Sequence, residues 1–262
     1  MTGKLIFDTK KPIIGVVRLL PLPGYPDFPG TNKIVETAMA DIKNLEMAGF
    51  HGALVDNHAH PHVVKGTEEM VAGFVEVMEK LTEKMNIPLG VQFLIDDPEA
   101  AITIAKASGA KFIRTDFFVD RVKTEYGIME PRAREIVAFR KKLGAERVLI
   151  WADVQVKHAQ MLERKPITVS VAQALRAGAD GVIVTGAWTG VAPEMDKLTK
   201  AKRAAGQAKV LIGSGLTKEN SGQLLGVADG ALVGTAIRNG SRIDLVKAQE
   251  LMATVNGGSY VD

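Results

Sequence analysis

Residues 178–184 read Gly-Ala-Asp-Gly-Val-Ile-Val, and this stretch, a glycine followed by small or acidic residues and then an apolar run, decides the fold. It returns with variations at 49–55, 109–113, 144–150 and 226–233. Glycine accepts the left-handed conformation with which many helices end, and an apolar β-branched run is typical of a buried parallel strand. The successive glycines are 60, 35, 34 and 48 residues apart. Most of these intervals correspond to one or two βα units of roughly 30–35 residues.

Eight strands follow when the gaps between these repeats are filled. Segments of helical period separate them, such as Ile34, Ala38, Ile42 and Leu45, and three helix starts are marked by Thr67, Asp97 and Thr217. Strict alternation predicts a parallel sheet covered on both faces, and eight units favour a closed (β/α)₈ TIM barrel that occupies residues 1–262 as a single domain. No G-x-G-x-x-G follows the first strand, which argues against an open Rossmann sheet. The predicted strands are 13–17, 53–56, 89–93, 112–116, 148–153, 181–185, 210–213 and 230–233.

The composition is that of a folded globular chain. Of 262 residues, 46% are hydrophobic and 24% are charged, and the net charge is only +3. The chain contains no cysteine, which excludes disulfides, thiolate zinc sites and a cysteine nucleophile. We expect a cytoplasmic protein without a membrane span, because no apolar run approaches about 18 residues. Aromatic residues make up only 5% and no basic stripe accompanies them, so nucleic-acid binding is not expected.

The fifth strand carries the most informative polar residues. Because side chains alternate along a strand, Asp153, Gln155 and Lys157 are predicted to face the barrel mouth, with Ala152, Val154 and Val156 packed on outer helices. One interpretation is a carboxylate and an ammonium tuned against each other for acid/base chemistry. The other is a frayed strand end with a solvated lysine.

The remaining strand ends offer further polar groups. Arg114 and Asp116 share the inner face of the fourth strand, either as a structural brace or as an anion site. In a TIM barrel the chemistry lies at the carboxyl ends of the strands, so these residues are candidates for substrate binding or catalysis. The predicted substrate-binding residues are Arg18, Asp56, Asn57, Gln92, Gln155, His158, Thr185 and Thr189.

Three histidines, His58, His60 and His62, follow the second strand at alternate positions. Such spacing can place two imidazoles on one side of an extended segment, so a divalent metal is an option. The chain has only two other histidines to complete a metal site, so a polar loop over the mouth is the preferred explanation of the cluster. We therefore predict no cofactor.

The last two strands end in Gly213-Ser214-Gly215 and Gly234-Thr235. Without Cβ atoms, backbone amides can approach an anion closely, and TIM barrels often hold a substrate phosphate after strands seven and eight. Two tight turns without a ligand are the alternative. The prediction is a phosphate cradle.

Several stretches resemble the BtpA family, which includes SgcQ-type proteins. They are 152–159 (ADVQVKHA), 184–190 (VTGAWTG), 213–220 (GSGLTKEN), 228–235 (ADGALVGT) and 20–24 (LPLPG). The chain departs from the family pattern where Arg18 replaces a usual histidine, Asp56 a common glutamate and Gln92 an asparagine. His58–His62 also fall outside the pattern. These differences surround the predicted mouth.

The resemblance implies a TIM barrel of the phosphate-binding type and leaves two functions open. The first is an isomerase, epimerase, aldolase or lyase acting on a phosphorylated sugar or nucleoside-derived metabolite. Asp153 and Lys157 would then exchange a proton beside a carbonyl while Arg114 and Asp116 assist, or Lys157 would form a Schiff base. The second is a non-catalytic assembly factor for a membrane complex such as photosystem I. The oligomeric state is open, with a homo-oligomer as one option.

Overall fold

The computed structural model describes residues 6–57 and 63–257. Eight parallel strands close into a barrel in sequence order, each followed by a helix on the outside. The (β/α)₈ TIM barrel predicted from the sequence is confirmed. The strands are β1 Ile13–Arg18, β2 Gly52–Asp56, β3 Leu89–Gln92, β4 Phe112–Thr115, β5 Leu149–Val154, β6 Gly181–Val184, β7 Lys209–Ile212 and β8 Ala231–Val233.

The helices form the outer layer. They are α1 Thr31–Ala48, α2 Glu68–Lys84, α3 Pro98–Ser108, α4 Ala133–Lys142, α5 Ile167–Ala177, α6 Met195–Ala205, α7 Ser221–Leu225 and α8 Leu245–Gly257. Two predicted starts are confirmed by caps, because the side chains of Thr67 and Asp97 accept the N–H groups of Met70 and Ala100. The prediction at Thr217 was wrong. Its amide donates to Asn220 Oδ1, and this turn delays α7 to Ser221.

The lower half of the barrel interior is a closed apolar core. Phe112 stacks on Trp151 with ring centroids 4.6 Å apart, and Phe7 from the N-terminal segment packs against both rings. Gly90 leaves the room for Phe112, since a Cβ there would lie 2.1 Å from its ring. This apolar layer fills the amino-terminal end of the barrel interior.

Two small sheets lie at the carboxyl end of the barrel. One has three short strands, Gly127–Met129, Val122–Thr124 and Gln160–Met161, which belong to the loops after β4 and β5. The other is the hairpin of Arg238–Asn239 and Arg242–Ile243 after β8. Neither was predicted from the sequence, and both place residues beside the mouth.

Candidate functional site

A polar cavity of about 320 Å³ opens at the carboxyl ends of the strands. The glycine turns after β7 and β8 and the charged side chains of the earlier strands line this one cavity. The structure thus brings together most of the residues predicted for a site. They are Arg18, Asp56, Asn57, Gln92, Arg114, Asp116, Lys157, His158, Thr189, Gly213, Ser214, Gly215, Gly234 and Thr235.

Arg114 lies at the floor of the cavity in a bidentate pair with Asp153. Its Nε and Nη2 donate to the two carboxylate oxygens at 2.8 and 3.0 Å. Burial lowers the pKa of Arg114, but the charges of Asp153 and Asp116 outweigh burial and raise it. The guanidinium is therefore a fixed positive charge.

Asp153 does not reach the cavity. Its side chain is fully buried and both oxygens are engaged by Arg114. The expectation that Asp153 exchanges a proton with Lys157 therefore needs correction, since Arg114 holds both carboxylate oxygens and the side chain does not line the cavity. The partner for Arg114 that the sequence suggested, Asp116, is the more distant one, at 3.5 Å.

Asp116 is the carboxyl group that faces the cavity. Gln92 Nε2 donates to its Oδ2 at 3.2 Å, and the side chain is 22% exposed. Burial raises the pKa of Asp116 to about 6, although the charge of Arg114 opposes the shift. A carboxyl group with this pKa can both give and take a proton near neutrality.

Asp56 lies in register with Arg18 on one side and Gln92 on the other. Burial raises the pKa of Asp56 despite the opposing charges of Arg114, Arg18 and Lys157. The cavity thus holds two carboxyl groups whose charged forms are disfavoured by burial. Both lie among fixed cations.

Lys157 lines the cavity beyond the end of β5. Within residues 6–57 and 63–257 its ammonium group has no hydrogen-bond or ion-pair partner. Burial and the charge of Arg114 lower the pKa of Lys157, against the opposing effect of Asp116, Asp153 and Asp56.

The alternation predicted along β5 fails after Val154, because Gln155 has a positive φ of 48°. Its amide side chain donates to the carbonyl of Lys165 outside the cavity. The prediction that Gln155 faces the mouth was wrong. Val156 was also misplaced, since it packs with Phe117 and Val122 under the three-stranded sheet and not on outer helices.

Thr185 is also absent from the cavity lining. It is fully buried, and its hydroxyl accepts the backbone N–H of Lys157 at 3.0 Å. Thr185 therefore positions Lys157 instead of contacting a ligand, which corrects its predicted role.

His158 and Thr189 lie at the rim and bind each other, with 2.8 Å between Nε2 and Oγ1. Burial and the charge of Lys157 lower the pKa of His158. The exposed Trp188 packs its ring edge against the imidazole, with centroids 5.1 Å apart. This contact joins the loop after β6 to the loop after β5.

The glycine turns that line the cavity contain backbone amides without an acceptor among the described residues. In the described part of the chain, the N–H groups of Ser214, Gly215 and Thr235 have no acceptor. The Ser214 hydroxyl is already engaged, because it accepts the Gly186 N–H and donates to the Val191 carbonyl. The part of Ser214 that a ligand can use is its backbone.

Glycine occupies positions 213, 215 and 234 for different physical reasons. A Cβ at Gly213 would lie 2.4 Å from Ile183, and one at Gly215 would lie 2.1 Å from the Ala192 amide nitrogen. Packing alone explains both. At Gly234 the nearest atom to a Cβ would be the Val16 Cβ at 3.6 Å, an ordinary contact, and φ is −124°. Close packing does not require glycine there, and the residue does not have a positive φ.

Four cavity-lining residues were not predicted from the sequence: Arg238, in the hairpin after β8, and Thr124, Glu125 and Tyr126, in a hairpin of the three-stranded sheet. Arg238 is 8% exposed, and its guanidinium donates to the carbonyls of Ser241 and Val16. Burial and the nearby charge of Arg18 lower the pKa of Arg238 to about 10. The only signal in the sequence is an arginine four residues after Gly234.

The metal hypothesis rested on His58, His60 and His62, which lie outside the described residues. Among residues 6–57 and 63–257, no group of three or more histidines, aspartates and glutamates is placed to hold a metal ion. The metal option is untested, and the absence of a cofactor stays a prediction.

Fold and site together define a (β/α)₈ barrel with a charged cavity and two glycine turns at its mouth. The chain belongs to the BtpA family, whose model matches residues 9–257. It is 34% identical to the photosystem I biogenesis protein BtpA of Synechocystis, covering 91% of this chain and 84% of that one. It is 25% identical to the putative sgc region protein SgcQ of Escherichia coli, covering 97% of both.

Among solved structures, the thiamine phosphate pyrophosphorylase of Pyrococcus furiosus superposes with a TM-score of 0.62. The alignment covers 95% of this chain and 98% of that one at 14% identity. This likeness shows the barrel fold. None of the helices within the described residues is both long and apolar enough to cross a bilayer.

Proposed function

We propose that the cavity binds a phosphorylated small metabolite, such as a sugar phosphate, and catalyses proton transfer beside its carbonyl group. The reaction would belong to the isomerase, epimerase, aldolase or lyase type. One observation carries the proposal: the two glycine turns and the ionisable groups Asp116 and Lys157 line the same 320 Å³ cavity. A pocket of this size is typical of small-molecule sites.

The phosphate end is the side of β7, β8 and β1. Free amides at Ser214, Gly215 and Thr235 can donate to phosphate oxygens. Arg18 and Arg238 add positive charge, and neither forms an ion pair with a carboxylate of the described residues. A phosphate would relieve the repulsion between these two guanidinium groups.

The reacting end is the side of β3, β4 and β5. Asp116 has a pKa near the working range of a general acid or base, and Gln92 holds its carboxyl group in place. Arg114, fixed by Asp153, supplies a preorganised positive charge for an enolate oxygen. Asp116 therefore takes the proton-transfer role that the sequence assigned to Asp153.

Thermal unfolding with inorganic phosphate and a panel of sugar phosphates tests the proposal. We expect a rise in Tm that grows with ligand concentration, because a ligand that binds only the folded state stabilises it by mass action. Sulfate and chloride at equal ionic strength are the controls. If no phosphorylated compound moves the Tm beyond chloride, the proposal is wrong.

The Gly234→Ala variant tests whether the turn after β8 binds phosphate or is only a tight turn without a ligand. The methyl group meets only Val16, so stability should be unchanged or rise by up to about 1 kcal/mol, while the phosphate-induced shift should disappear. Gly222→Ala, in α7 with nothing within 4 Å of its Cβ, is the matched control and should keep the shift. An unaltered shift in Gly234→Ala would contradict the cradle.

A second candidate function is a docking scaffold for a membrane complex. The 34% identical relative is named for photosystem I biogenesis, and Ile128, Trp188 and Val191 are exposed near the mouth. A complementation experiment distinguishes the enzyme from the scaffold. In cells whose gene for this protein is deleted, a Lys157→Arg copy should restore the function of a scaffold, which would tolerate the change, but not that of the enzyme. Full rescue would favour the scaffold.

A further inference from the structure

Lys157 differs from the other half-buried lysines of the described chain in having no partner. Lys165 pairs with Asp120 at 2.9 Å, Lys202 pairs with Asp229 at 2.6 Å, and Lys197 donates to two backbone carbonyls. Three carboxylates act to raise the pKa of Lys157, and two of them are engaged elsewhere: Asp153 holds Arg114 with both oxygens, and Asp116 contacts Arg114 and Gln92. Burying an amine without a partner costs solvation free energy, so a contribution to stability does not explain a lysine at this position.

The backbone around Lys157 is held in an uncommon conformation. Gln155 and His158 have positive φ values of 48° and 58°, and Leu94 of the same cavity is the third such non-glycine residue in the described chain. Three hydrogen bonds fix the segment: Gln155 N–H to Asp120, Lys157 N–H to Thr185, and His158 N–H to the Ala187 carbonyl. Left-handed conformations cost energy for residues with a Cβ and concentrate at functional sites. This strained segment places Lys157 in the cavity lining, together with its neighbours Val156 and His158.

Resting on the proposed function, we propose that Lys157 is a nucleophile that forms an imine with the carbonyl carbon of a phosphorylated aldehyde or ketone. This narrows the reaction to Schiff-base chemistry of the aldolase or lyase class. The neutral amine is accessible because burial and the Arg114 charge lower the pKa of Lys157.

The step balances with groups already in the cavity. The Lys157 Nζ lone pair forms a bond to the carbonyl carbon, and the C=O π pair moves to oxygen, which takes a proton from Asp116. The Asp116 carboxylate then accepts a proton from Nζ and returns it to the hydroxyl, which leaves as water. The protonated imine can accept the electron pair of a neighbouring C–H or C–C bond, and hydrolysis regenerates the free amine.

Reductive trapping tests the proposal. The probe is glycolaldehyde phosphate, the smallest aldehyde that carries a phosphate, incubated with the whole protein and borohydride and followed by peptide mass spectrometry. We expect one secondary-amine adduct on Lys157, suppressed by inorganic phosphate. Unphosphorylated glycolaldehyde should label Lys157 at least about tenfold more slowly, because it lacks the group that positions the carbonyl.

Two variants make the result specific. Lys157→Arg keeps the charge but cannot form an imine, so it should lose the adduct while retaining the phosphate-induced Tm shift. Lys123→Arg, on the hairpin outside the cavity lining, should keep both. Adducts spread over surface lysines with Lys157 unlabelled, beside an intact phosphate shift, overturn the imine and leave the proposed function standing. Absence of both the adduct and the shift overturns both.

Discussion

Single residues at the floor of the cavity have fixed partners that set their chemistry. Arg114 connects two carboxylates, because it donates two hydrogen bonds to Asp153 and lies 3.5 Å from Asp116. The two aspartates consequently differ in exposure. The side chain of Asp153 is fully buried against the guanidinium, whereas that of Asp116 is partly exposed and its pKa is raised by burial to about 6. Position relative to one arginine separates a carboxylate that is buried from one that lines the cavity.

Asp116→Asn should change how stability depends on pH. Burial raises the pKa of the Asp116 carboxyl group from an ordinary 3.8 to about 6 in the folded chain, so between these pH values the folded state binds the proton and the unfolded state does not. Wild-type stability relative to the variant should therefore fall by about 1–3 kcal/mol as pH rises from about 4 through 6. Urea unfolding at a series of pH values measures this, and parallel profiles for the two proteins would contradict the raised pKa.

Asp153→Ala should be severely destabilising. Its removal leaves the Arg114 guanidinium buried without its main partner, at a cost of about 3–5 kcal/mol. The double change Arg114→Met with Asp153→Leu removes both charges and should recover most of the loss, as judged by urea unfolding. A small loss for Asp153→Ala would mean that Asp116 alone can neutralise the arginine.

Secondary-structure elements divide the barrel into a stability end and a chemical end. Asp180 and Asp229, just before β6 and β8, accept the backbone N–H groups of Ile150 and Val210 and pair with Arg140 and Lys202. These bonds tie neighbouring strands together at the amino-terminal end. The carboxyl ends of the same strands have loops instead, and those loops carry the cavity.

Asp229→Ala should therefore reduce stability without touching ligand binding. The Val210 N–H and the Lys202 ammonium would both lose their acceptor, at a cost of about 1–3 kcal/mol. The phosphate-induced Tm shift, measured on the same samples, should equal that of the wild type. Asp196→Ala, which removes only an exposed pair with Lys200, should change neither quantity.

The whole molecule is a barrel closed at one end and open at the other. Phe7 covers the lower opening against Phe112 and Trp151, and the cavity occupies the upper one. The apolar layer lies below the cavity, so the packed core of the lower end and the ionisable groups of the upper end are physically separate.

Phe7→Ala is expected to lower the free energy of unfolding by about 3–5 kcal/mol, because it empties a packed position at the barrel end. Phosphate should still raise the Tm by the same amount. Phe28→Ala, at a side chain 38% exposed, is the matched control and should cost much less. Loss of the phosphate response in Phe7→Ala would show that the two ends are coupled.

The sequence by itself determined the barrel, all eight strands and the turns that carry glycine, because helix ends and buried strands depend on local conformational preference and on apolar periodicity. It also predicted that Arg114, Asp116, Lys157 and the glycine turns lie at one end, since parallel strands share their direction.

Only the tertiary structure decided which carboxylate pairs with Arg114, where Gln155 turns away, and that Arg238 reaches the cavity. Side chains alternate between the two faces only while the strand is regular. The alternation along β5 fails at Gln155, whose backbone N–H donates to the carboxylate of Asp120 on a different loop. Partners separated by many residues are chosen by distance and desolvation in the folded chain, which no local pattern encodes.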